Sequence, residues 1–144
     1  MCVETRLGYT EQQVIQVLRR AVEVSLMRVG WFLAMAAVTV LALMPSEHLQ
    51  MPVFDWWDKA QHALAFVVLT GWALLLWPLH ALRVVLGMLA YGAGIEGAQW
   101  AVGWRFAEWA DLAADALGVL VAWGVVRLAP LTGRLTSTAA DRAR

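Results

Sequence analysis

The stretch Val29-Gly30-Trp31-Phe32-Leu33-Ala34-Met35-Ala36-Ala37-Val38-Thr39-Val40-Leu41-Ala42-Leu43-Met44-Pro45-Ser46 carries no charged side chain, and Pro45 stops it. A helix needs about 20 mainly apolar residues to cross the hydrocarbon layer of a bilayer. This run comes close to that length. Three more follow: Ala63–Leu79, closing at Pro78; Val84–Trp104, interrupted only by Glu96; and Leu112–Val126, interrupted only by Asp115. Barrel strands alternate polar and apolar residues over about ten positions, and these runs do not. The reading is an all-α integral membrane bundle of four transmembrane helices, running up and down.

Composition points the same way. The 144 residues suffice for one domain. The apolar share is 61% and the charged share 15%, against roughly 45–50% and about 25% in soluble domains. Too few polar side chains remain to cover a soluble globule. Eleven basic and eleven acidic residues cancel, which excludes a nucleic-acid binder held by net positive charge. The single cysteine, Cys2, excludes an internal disulfide framework or a Cys-based zinc site.

Residues 1–27 read as a cytoplasmic leader, 28–130 as the four-span domain and 131–144 as a disordered cytoplasmic tail, small and polar without periodicity. Within the leader, Thr10 and Gln13 have capping-box spacing before a helix-compatible stretch. Its Val14, Ile15, Leu18, Ala21, Val22 and Leu26 share one face, so the segment lies along the membrane surface or extends the first span. Arg6, Arg19, Arg20 and Arg28 before that span, with no small-x-small cleavage site after it, argue against a secretory signal.

Four spans place both termini and the turn near His80–Arg83 on one side. That side holds Arg6, Arg19, Arg20, Arg28, Arg83, Arg127, Arg134, Arg142 and Arg144; the other holds only Lys59 and Arg105. The positive-inside rule then puts both termini in the cytoplasm. Trp56, Trp57, Trp100, Trp104 and Trp109 form the expected outer aromatic belt.

Glu96 and Asp115 require explanation, because a carboxylate near the bilayer centre costs about 2.5–3.5 kcal/mol on insertion scales. Both lie at similar distances from the short loop joining the last two spans. At about 1.5 Å rise per residue they sit at a similar shallow depth. Asp58 and His62 are four apart on one face of the second span, with Lys59 on an adjoining strip; Asp111 and Asp115 share a face of the fourth. So Asp58, Lys59, His62, Glu96, Gln99, Arg105, Asp111 and Asp115 should converge in the outer leaflet as an outward-facing polar pocket. Small residues allow the spans to approach: Ala90, Gly94, Ala98 and Ala93, Gly97, Ala101 on the third, and Ala110, Ala114, Gly118, Ala122 on the fourth.

The run Asp58-Lys59-x-x-His62-x-x-x-Phe66 resembles the D-K-x-x-H-x-x-x-[FY] signature of VanZ-like membrane proteins. Glu96-x-x-Gln99, Arg105, Asp111, Asp115 and Gly118 follow that family's E-x-x-Q … R … D-x-x-x-N-x-x-G spacing. The resemblance covers about Arg28 to Arg127. It departs at Asp115, where the family's usual residue is Asn, and at Ala122, where it has a second glycine. The resemblance implies a multi-pass protein of the bacterial cytoplasmic membrane. The family's namesake is associated with teicoplanin resistance.

Three functional expectations follow. In the first, the pocket binds the head group of a membrane lipid or lipid-linked envelope precursor, phosphate meeting Lys59 and Arg105, in an accessory or resistance-type role. The second is a hydrolase or transferase on lipid phosphates, with His62 as base oriented by Asp58, Glu96 as acid and Arg105 on an oxyanion. The third is a scaffold or subunit for an envelope-protein partner, the polar cluster only stapling helices: Lys59 or Arg105 neutralises Asp58, Asp111 or Asp115, while His62 and Gln99 hydrogen-bond Glu96. A metal held by His62, Glu96 and the aspartates is a variant of the second expectation; one His among carboxylates is a loose signature that many divalent ions fit, so no metal ligand set and no cofactor is assigned.

Overall fold

The computed structural model describes residues 10–45, 55–103 and 108–142, and the side chains of 10–45, 59–103 and 108–128. It contains four α-helices, α1 (Glu11–Leu43), α2 (Asp55–Leu76), α3 (Ala81–Val102) and α4 (Trp109–Arg142), with a 3-10 turn at Pro78–His80. There is no strand among the described residues. All four helices are long and apolar enough to cross a membrane.

Local chemistry sets the helix ends. The Thr10 side chain accepts from the Gln13 backbone N–H and the Gln13 side chain accepts from the Thr10 N–H, the full capping box. At the other end Met44 precedes Pro45, is extended (φ −69°, ψ 138°), and stops the ladder. Gly103 caps α3 at φ 78°, a left-handed conformation that favours glycine. The leader and first span form one continuous helix, the second of the two arrangements the leader allowed. Its Ile15, Leu18, Val22 and Leu26 remain exposed. At the far end α4 is helical through Arg142, where the sequence reads as a tail; past Pro130, Leu131, Arg134, Leu135 and the Ala139-Ala140 pair are good helix formers.

Side-chain contacts fix the direction of each helix. α2 and α4 form the most extensive interface, and both descend from the same end, because Lys59 meets Asp111 and His62 meets Asp115. α1 and α3 run the other way together. Trp31 Nε1 donates to the Leu69 carbonyl (2.9 Å), Tyr91 OH to the Met35 carbonyl (2.8 Å) and Gln99 Nε2 to the Ala42 carbonyl (3.0 Å). The arrangement is up-and-down, as the spans imply. Its core is Phe66, Leu69, Val85, Met88, Ile95 and Val119, with Trp31, Met35, Val38 and Trp123 packed against it.

The small residues divide. A Cβ at Gly118 would collide with the Ala63 carbonyl and approach Phe66 Cβ to 2.9 Å, so the fourth-span ridge brings α4 backbone against α2. The third-span ridges do not pack inside the chain. Ala90, Ala93, Gly94, Gly97 and Ala101 are exposed, and a Cβ at Gly94 or Gly97 would meet nothing within 4 Å. Helical spacing identified these ridges; it did not identify which side of α3 the neighbours occupy.

Candidate functional site

The end of the bundle at which α2 and α4 begin gathers the charged groups. On α2, Lys59 and His62 lie three apart and lean toward α4. On α4, Asp111 and Asp115 lie four apart, on the strip that continues into Gly118. α3 brings Gly92, Glu96 and Gln99 to the same level on its buried side.

Lys59 Nζ lies 3.0 Å from Glu108 Oε2 and 3.7 Å from Asp111 Oδ1. Its side chain is 32% exposed and that of Glu108 52%, so this ion pair forms a wet rim. Below the rim, His62 Nδ1 lies 3.0 Å from Asp115 Oδ1. Glu96 Oε2 accepts the Glu108 backbone N–H at 3.0 Å. The Glu108 carbonyl in turn accepts from the N–H groups of Asp111 and Leu112, so Glu96 places a carboxylate at the positive end of α4. That contact is one structural reason for an acid inside the third span.

The rest of these polar groups are not accounted for by internal bonds. Glu96 Oε1, Gln99 Oε1 and Asp115 Oδ2 are buried without a hydrogen-bond partner among the described residues. Asp115 and Gln99 are each 2% exposed. A buried acceptor left unmade costs about 1–3 kcal/mol. Gly92 allows Asp115 to pack closely on α3: a Cβ there would stand 3.0 Å from Asp115 Oδ2. One donor atom each from His62, Glu96 and Asp115 lie within 4.8 Å of one another.

Of the eight expected residues, six are brought to one end: Lys59, His62, Glu96, Gln99, Asp111 and Asp115. The Asp58 side chain and Arg105 lie outside the described residues. The pairing differs in two places. His62 meets Asp115, a partner the sequence reading did not give it; its expected contact with Asp58 lies outside the described side chains. Gln99 donates to the Ala42 carbonyl of α1 rather than to Glu96, because that carbonyl belongs to the last turn of α1 and has no partner within its own helix. Glu108 and Gly92 were missed. Glu108 sits three before Asp111 at the start of a helix, a spacing that would have pointed to it; Gly92 sits four before Glu96, which only the depth of the α3–α4 contact makes meaningful.

The opposite end has a different character. A cavity of about 300 Å³ there is lined by Trp31, Met35, Trp77, His80, Arg83 and Met88 among others. Arg28 lies over the Trp77 ring at 5.6 Å and Arg127 over Trp123 at 5.1 Å. Trp77 packs edge-on against Trp31 and Phe32. No family model, no curated protein and no solved structure matches the chain.

Proposed function

We propose that this chain is a VanZ-like multi-pass protein of the bacterial cytoplasmic membrane, with both termini cytoplasmic. Its Lys59–Asp115 end binds the polar head group of a membrane lipid or lipid-linked envelope precursor. The observation that carries the reading is the set of buried, unpartnered oxygens on Glu96, Gln99 and Asp115. A cluster that served only to staple helices would close its own hydrogen bonds, since each open one weakens the fold. In this reading the carboxylates accept from head-group hydroxyl or amine hydrogens. The Lys59 ammonium meets the phosphate, with Arg105, expected there from the sequence, as the second cation. The acyl or prenyl chains lie along the exposed apolar faces. Among the described basic residues Arg28, Arg83 and Arg127 gather at the other end, which supports the orientation.

Lipid recovered with the purified full chain tests this. Wild type should carry a stoichiometric lipid by native mass spectrometry, and Lys59→Ala and Arg105→Ala should lose most of it. Equal recovery in all three removes the reading.

One observation favours a second reading, a hydrolase or transferase acting on a lipid phosphate. His62 is held by a buried Asp115 with Glu96 beside it, an arrangement that suits general-base work. Turnover of a polyprenyl-phosphate substrate by wild type, abolished in His62→Ala, would establish it; absence of turnover would leave the binding role.

A further inference from the structure

We propose that His62, Glu96 and Asp115 form a divalent-cation site at the floor of the polar cluster. Three helices supply the ligands. α2 gives an imidazole, α3 and α4 a carboxylate each, and one donor atom from each falls within 4.8 Å of the others. His62 Nδ1 and Asp115 Oδ1 are 3.0 Å apart, a hydrogen-bond contact whose proton an ion would replace. One independent feature points to a ligand. Asp115 Oδ2 and Glu96 Oε1 are buried with no partner among the described residues, on side chains belonging to residues 2% and 8% exposed. Gly92 lets α3 and α4 meet at this level: a Cβ there would stand 3.0 Å from Asp115 Oδ2 and 3.3 Å from the Phe66 ring.

Charge completes the argument. Two carboxylates this close repel each other, and Lys59 is engaged at the rim with Glu108 and Asp111. A dication would neutralise both floor carboxylates at once. Glu96 Oε2 is meanwhile held by the Glu108 N–H, an outer contact of the kind that fixes a ligand's orientation. One imidazole with two carboxylates suits Zn²⁺ or Mn²⁺ better than Ca²⁺, which takes six to eight oxygens. Gln99 Oε1, three residues from Glu96, is a further buried oxygen without a partner among the described residues. The inference rests on reading the cluster as a site; where the ion is bound, it takes the Glu96 and Asp115 oxygens and the head group is left to Lys59, Arg105 and Gln99.

The test is metal content and titration on the full chain in detergent. After equilibration with ZnCl₂ or MnCl₂ and desalting, wild type should retain about one ion per chain, and the ion should raise its melting temperature. Glu96→Gln and Asp115→Asn should weaken retention by at least the roughly 10–100-fold that outer-shell changes alone cost. Lys59→Ala should keep the ion even where it loses lipid, which separates this inference from the head-group reading. Absence of a retained ion in wild type overturns the proposal, and so does an ion that persists in the Glu96→Gln, Asp115→Asn double variant.

Discussion

The end of the bundle built around Trp77 and the end built around Asp115 solve the packing of the same four helices differently. At the Trp77 end, rings pack edge-on beside a cavity: Trp31 stands 5.3 Å from Trp77 and closes its N–H on the Leu69 carbonyl, while the Trp72 and Trp123 N–H groups are buried without a partner among the described residues. Arginines lie over indoles there, so the charges stay near the surface. At the Asp115 end, four polar residues, Glu96, Gln99, Asp111 and Asp115, are buried in the bundle, and three of them keep oxygens that nothing described satisfies. Aromatic packing and small-residue contact already hold helices together where lipid gives them no hydrophobic incentive. The contrast teaches that adhesion does not require the second end's chemistry, which is why we assign that end a ligand.

The comparison breaks most severely through Gly118, where α4 rests on the α2 backbone. Gly118→Ala places a methyl group on the Ala63 carbonyl and should cost about 3 kcal/mol or more, at or above the usual range for overpacking. Reversible unfolding in detergent reads it. Gly30→Ala at the Trp77 end meets only a movable Trp72 ring at 3.3 Å and should cost far less. Trp31→Ala is next, at about 2–4 kcal/mol for a half-buried indole and its hydrogen bond. It should leave lipid and metal retention unchanged, so a loss of either would show the two ends to be coupled. Lys59→Met should change stability by about 1 kcal/mol or less, because its ion pairs are partly solvated, yet it should reduce lipid recovery. Gly94→Ala is the smallest: with nothing within 4 Å it should be neutral or slightly stabilising, by about 1 kcal/mol at most. A large loss there would reveal that another protein or a second copy covers the third-span ridge.

Spans, direction and the meeting of distant charges were legible because each follows from a one-dimensional rule. Apolar length gives a crossing, prolines give the ends of the first two spans, and spacing of three or four gives a face. The meeting of Glu96 and Asp115 follows from counting residues from one loop. What spacing could not give was rotation about each helix axis and who pairs with whom. The Asp115 partner of His62 was not legible on paper; the parallel contact of α2 with α4, where Gly118 rests on α2, brings the two together. Gln99 turned to α1 because a terminal carbonyl needed a donor, a demand invisible without knowing that Ala42 lies beside it. The third-span ridges illustrate the same limit, since a small-residue repeat marks a surface that permits approach without saying what approaches.

Asp115→Asn separates site from staple most directly, because asparagine keeps an acceptor for His62 while removing one of two adjacent buried carboxylates. Measured as unfolding free energy of the metal-free, lipid-depleted full chain, the variant should match wild type within about 1 kcal/mol or exceed it, relief of repulsion offsetting any weaker contact to His62. A fall of about 3–5 kcal/mol, the cost of breaking a buried ion pair, would contradict the account and make the cluster a structural clamp.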